Sequence, residues 1–153
     1  MKRILLITLL AFAFMACNDD DDNDKNCEDQ NLATTSLEDT YGCVDTPYQM
    51  DIDLTDTFTI ISTTEEFESR VTGSCYPEID FDKYDLIIGK HQLNSGIDAI
   101  VYDLIEDCET QKLILNVTFL LNAATISPNI TYHILSLKQD NIASLTVNIQ
   151  DEN

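Results

Sequence analysis

Five cysteines, two histidines and 28 carboxylates are the side chains with chemistry to offer in this chain of 153 residues. The histidines, His91 and His133, fall in or beside stretches that read as β-strands, and nothing near either has metal-ligand spacing. Each reads as a strand histidine with a satisfied side chain. No G-x-S-x-G elbow exposes a nucleophilic serine, and the 4 glycines form no phosphate-cradling loop. Carboxylates are abundant instead. Asp51 and Asp53 share one face of an alternating stretch and Asp56 follows, a spacing that could hold calcium or divide acid and base roles. Their strict alternation with Met50, Ile52 and Leu54 makes them the solvent face of an amphipathic strand. The run from Asp19 to Asp24 lacks the glycine and glutamate that an EF-hand loop places at its sixth and twelfth positions. No catalytic residue, metal site or cofactor is expected.

Cysteine chemistry is the more informative. Cys27, Cys43, Cys75 and Cys108 are widely spaced, with no C-x-x-C pair of a zinc or redox site. Four cysteines permit three connectivities, and spacing does not choose among them. They read as candidate structural disulfides of an oxidising compartment. Cys75 and Cys108 are both expected to be oxidised, without being assigned to each other.

Cys17 stands apart. Lys2 and Arg3 precede an apolar run from Ile4 to Ala16, interrupted only by Thr8, which fits the core of a signal peptide and is too short to cross a bilayer. The run ends Phe14-Met15-Ala16-Cys17. This resembles the lipobox of bacterial lipoproteins, with Phe14 where leucine is usual. The resemblance implies that residues 1–16 are removed and that the Cys17 thiol is acylated, anchoring the protein to a membrane. Asp19, Asp20, Asp21 and Asp22 follow closely. An acidic stretch in that place resembles the export signal of surface lipoproteins of Bacteroidetes-type bacteria, which implies the outer membrane and its exterior face.

Charge narrows the partners. Only 8 basic side chains, Lys2 and Arg3 among them, stand against 28 acidic ones, for a net charge of −20. That balance excludes the basic footprint of nucleic-acid binding. It also disfavours lying on an anionic bilayer, so membrane attachment falls to the lipid, where two or more acyl chains hold stably. The oligomeric state is not legible.

The elements that must position these residues begin late. Residues 17–40 are polar and acidic and read as a disordered tether after the signal peptide. Residues 41–153 read as one β-rich domain. Tyr48 to Leu54, Phe58 to Ser62, Asp85 to Gly89, Ile97 to Ile105, Leu113 to Leu121, Ile130 to Leu137 and Leu145 to Gln150 are strand candidates. Asp107 to Lys112 suggests a hairpin, and short links favour antiparallel pairing. Thr63 and Glu66 have capping-box spacing, and Phe67 and Val71 share a face of the helix that Pro77 prevents from continuing. The fold class is α+β, mostly β: a single antiparallel domain with one short helix.

One longer stretch has a familiar order. Helix Glu65 to Val71 comes first, then Pro77-Glu78-Ile79-Asp80-Phe81-Asp82-Lys83 leading into Asp85-Leu86-Ile87-Ile88-Gly89, and later Tyr132-His133-Ile134-Leu135-Ser136-Leu137. It resembles the C-terminal domain of protease-complex-associated lipoproteins of the PrcB type, a small β-rich domain thought to assist or restrain a partner protease. The family's glycine-rich turn is reduced here to Asn94-Ser95-Gly96, so no functional residue is carried over. Anchor, spacer and compact domain together imply a binding or interaction module with a protein partner. The alternatives are a structural envelope lipoprotein and a carboxylate-based glycan-cleaving enzyme. The second is disfavoured by the absence of any tryptophan to form a sugar platform.

Overall fold

The computed structural model describes residues 27–54, 57–139 and 144–153. Cys17 and Asp19 to Asp22, with the signal peptide, lie outside the described residues, as does Asp56. In chain order the elements are β1 (Gln30–Leu32), β2 (Thr34–Thr35), α1 (Leu37–Tyr41), α2 (Thr46–Gln49), β3 (Met50–Ile52), β4 (Phe58–Ile61), α3 (Thr64–Arg70), β5 (Val71–Gly73), β6 (Tyr84–Gln92), β7 (Ile97–Asp107), β8 (Lys112–Leu121), β9 (Asn129–Leu137) and β10 (Leu145–Glu152). The domain is β-rich, as its alternating runs predict, but the described residues hold three short helices where the sequence predicts one: α1 and α2 join the expected α3.

Two four-stranded sheets form the body. Sheet 1 has the order β1-β7-β8-β10 and sheet 2 the order β2-β9-β6-β4, while β3 and β5 make a separate ribbon. Between the sheets, Leu104, Leu115, Val117 and Phe119 of sheet 1 pack on Ile87, Ile130, Tyr132 and Ile134 of sheet 2. The other face of sheet 2 carries Leu86, Ile88 and Leu135 into a second core, roofed by Leu37 of α1, Met50 and Ile52 of β3, Phe67 of α3 and Val71 of β5. The inner strands of sheet 2, β6 and β9, are therefore covered on both faces. That is why β9 is a nearly unbroken buried run, whereas β8 alternates between a buried and a wetter face. Gly89 of β6 is required by this packing, because a Cβ there would overlap the Tyr132 ring.

Several expectations need correction. Residues 17–40 are not tether throughout: from residue 27 the chain is described, β1 pairs with Leu104–Glu106 of β7, β2 pairs with β9, and Leu37 is fully buried. Strands of two or three residues are too short to show a period. The stretch Tyr48 to Leu54 is not one strand. Pro47 sets the dihedral of a first helical turn, so Tyr48 and Gln49 close α2, and only Met50–Ile52 extends. Pairing is not wholly antiparallel either. The chain leaves β9 in sheet 2 and enters sheet 1 as β10, which runs parallel to β8 over its whole length.

Other local expectations hold. Asp107 Oδ1 accepts from the Thr110 amide and hydroxyl, each at 2.7 Å, closing the β7–β8 hairpin. The Thr63 hydroxyl accepts from the Glu66 amide at 3.2 Å and starts α3. The four cysteines resolve into Cys27–Cys108 and Cys43–Cys75, with Cα separations of 5.6 and 5.7 Å. The first ties the lead into β1 to the β7–β8 turn. The second ties the α1–α2 loop to the segment after β5.

Candidate functional site: an acidic cleft at a sheet edge

The crossing from β1 to β2 opens one side of the sandwich. β1 covers only Leu104–Glu106 of β7, and β2 covers only Leu135 and Ser136 of β9. Among the described residues, positions 97–103 of β7 have ladder partners in β8 alone. A bulge between Ile97 and Ala99 marks the start of this free edge. α1 and α2 stand opposite it, leaving a cleft of about 710 Å³.

Local signals place the cleft wall. Ser36 caps α1: its hydroxyl accepts from the Asp39 amide at 3.0 Å and donates to the Asp39 carboxylate at 2.8 Å. Gly42, with φ of 69°, closes the helix in the left-handed conformation. Asp45, also left-handed, leads into α2 and makes no side-chain cap bond. Asp39, Asp45, Asp98 and the half-exposed Tyr48 line the opening.

A polar relay lies beneath. Glu38 Oε1 accepts from the Thr46 amide at 2.8 Å and from its hydroxyl at 3.0 Å. Thr46 Oγ1 lies 2.7 Å from His133 Nε2. Because the single hydroxyl proton is committed to Glu38, Nε2 must donate to Oγ1, and the lone pair of the imidazole sits on Nδ1. Nδ1 has no hydrogen-bond partner among the described residues. Burial pushes the His133 pKa down to about 4, against opposing pulls from Glu38 and from the residue's own backbone. The His133 amide donates to the Tyr102 hydroxyl oxygen at 3.2 Å, joining the two sheets at the cleft, and burial raises the Tyr102 pKa. The relay clamps α1 and α2 onto β9. It presents acceptors, not an activated hydroxyl: Thr46 is 1% exposed and faces no lone pair of His133.

The residues singled out from the sequence do not converge. Asp51 pairs with Lys90 at 2.6 Å, and that bond holds its carboxyl below the usual carboxylate range. Asp53 is exposed nearby. His91 stacks on Phe119 at 5.1 Å and contacts Asp151 at 3.2 Å. Among the described residues no group of three His, Cys, Asp or Glu side chains is arranged to hold a metal. The sequence reads His133 as a satisfied strand histidine, but its Nδ1 has no partner among the described residues. Glu38, Thr46 and Tyr102 escaped the sequence reading because the contacts are long-range, Thr46 and His133 being 87 positions apart. The usable signals were Ser36 three positions before Asp39, Gly42 just past them, and Asp45-Thr46-Pro47 as a second helix start. No protein-family model, curated protein or solved structure matches the chain.

Proposed function

We propose that this chain is a lipid-anchored surface protein that works as an interaction module and docks a partner protein in the cleft between β7 and α1–α2. The carrying observation is a preformed opening beside a free sheet edge, walled by helices that the Glu38–Thr46–His133 relay holds in place. Rigid walls lower the ordering cost of binding. Acylation at Cys17 would supply the anchor, and Asp19 to Asp22 the route to the exterior face. Two disulfides suit an oxidising compartment. The resemblance to PrcB-type domains favours a protein as the partner.

Photo-crosslinking in intact cells tests this reading. A benzophenone side chain replaces Tyr48 at the cleft or Tyr76, an exposed tyrosine packed near Phe67 in the roof of the second core. A discrete adduct with one partner from position 48, and none from position 76, is expected. Equal adducts from both positions, or none from 48, would contradict it.

A further inference from the structure

We propose that the occupant of this cleft is an extended, basic segment of the partner, added as a strand to the free edge of β7. The inference rests on the cleft being the docking site and names what docks there.

The charged side chains that line the cleft are all carboxylates. Glu38, Asp39, Asp45 and Asp98 line the cleft, and no Lys or Arg does among the described residues. His133 lines it too, is 4% exposed, and carries at Nδ1 an acceptor with no partner among the described residues. A buried acceptor without a donor is costly, so it marks a place where a donor belongs. The matching chemistry is cationic and rich in N–H groups. The chain's own Asp19 to Asp22 stretch has the wrong sign to fill this role.

The backbone specifies the shape of the occupant. Among the described residues, positions 97–103 of β7 have ladder partners on one side only, so the other side offers unpaired N–H and C=O groups along about 23 Å of extended chain. Strand addition satisfies such groups and lets alternate side chains enter the groove. Ile97, Ile100 and Pro47 supply apolar contacts for alternate residues, while the carboxylates receive the basic ones. A compact cation would satisfy the carboxylates and leave the edge unpaired.

The probe is a capped seven-residue peptide of alternating lysine and valine, titrated against the disulfide-intact protein by fluorescence anisotropy. Two further versions carry N-methyl groups on all valine amides or on all lysine amides. In a strand only one of these sets faces β7, so one version should lose about tenfold or more in affinity and the other should not. The triple variant Asp39→Asn, Asp45→Asn, Asp98→Asn should weaken binding about tenfold. A control variant of equal charge, Glu78→Gln, Asp80→Asn, Asp82→Asn, alters exposed carboxylates away from the cleft and should not. Equal binding of both methylated peptides, or equal effects of the two triple variants, would overturn the proposal in favour of adsorption to net negative charge. Spermine binding as tightly as the peptide would also overturn it. A partner crosslinked at position 48, together with peptide failure, would leave the interaction module standing and remove only the strand-addition step.

Discussion

The sandwich has two open sides, and they differ in what surrounds the exposed strands. On one side the free edge of β7 faces α1 and α2 across the acidic cleft. On the other, β4 and β10 end the two sheets over a smaller cavity of about 350 Å³ bordered by Ile60, Leu113 and Leu145. Among the described residues, both sides have edge strands without a second ladder partner. Each side holds one buried acceptor without a hydrogen-bond partner among the described residues, His133 Nδ1 on the first and Asp85 Oδ1 on the second. Only the first adds a wall held by a polar relay and a rim of several carboxylates. An open edge by itself is a liability that proteins blunt or cover. An edge facing a built wall is a place where a specific strand can be selected. β10 also ends in Asp151 and Glu152, which repel a second acidic copy of the same edge.

Breaking the wall should have the largest effect. The Cys43–Cys75 bridge closes a sequence separation of 32 beside the α1–α2 loop, and chain-entropy reasoning assigns it about 4 kcal/mol. Replacing both cysteines by alanine should lower the denaturation midpoint accordingly, and peptide affinity should fall with it. Unchanged stability in urea titrations would show that the roof does not depend on the bridge.

Acid should act next, and on the cleft side. The His133 pKa is depressed in the folded state to about 4, so between that value and its ordinary 6.5 the unfolded chain binds the extra proton. The contribution of His133 to stability is flat above about pH 6.5 and falls as pH drops. It loses about 3 kcal/mol by the time the folded pKa is reached. His133→Gln should remove this slope from the pH dependence of unfolding. A slope of the same size in the variant would assign the acid sensitivity to other groups.

Thr46→Val gives a sharper and somewhat smaller test. It leaves the His133 Nε2–H without its acceptor and removes one donor from Glu38, at a cost of about 1 to 3 kcal/mol. The far side supplies the comparison. Lys138 lies 3.9 Å from Asp85 at a partly exposed position, and Lys138→Met should change stability by no more than about 1 kcal/mol and leave cleft binding untouched. A larger loss for Lys138→Met than for Thr46→Val would invert the proposed difference between the two sides.

Legibility followed the same division. β8 and β10 show clean period two because one face of sheet 1 is wet, and the hairpin at Asp107–Lys112 and the cap at Thr63 announce themselves in local chemistry. β6 and β9 read as apolar runs because both of their faces are covered. The cleft wall was obscured by composition. Residues 27–40 are too polar to resemble a core, yet Leu32 and Leu37 anchor them through a few apolar side chains and two very short ladders. At Tyr48 the alternation continued while Pro47 had already selected a helical turn. The site itself depends on Glu38, Thr46, Tyr102 and His133 meeting across long sequence distances, and the disulfide pairing does the same. No local pattern encodes either.

Hydrogen exchange along β7 tests the central claim most directly. In the free protein, the outward amides within residues 97–103 should exchange far faster than those of Leu104–Glu106, which β1 covers. Adding saturating lysine–valine peptide should slow exchange at positions 97–103 and leave the β4 and β10 edges unchanged. Peptide binding with no protection at 97–103, or with protection at β10 instead, would contradict the assignment of this edge as the docking site.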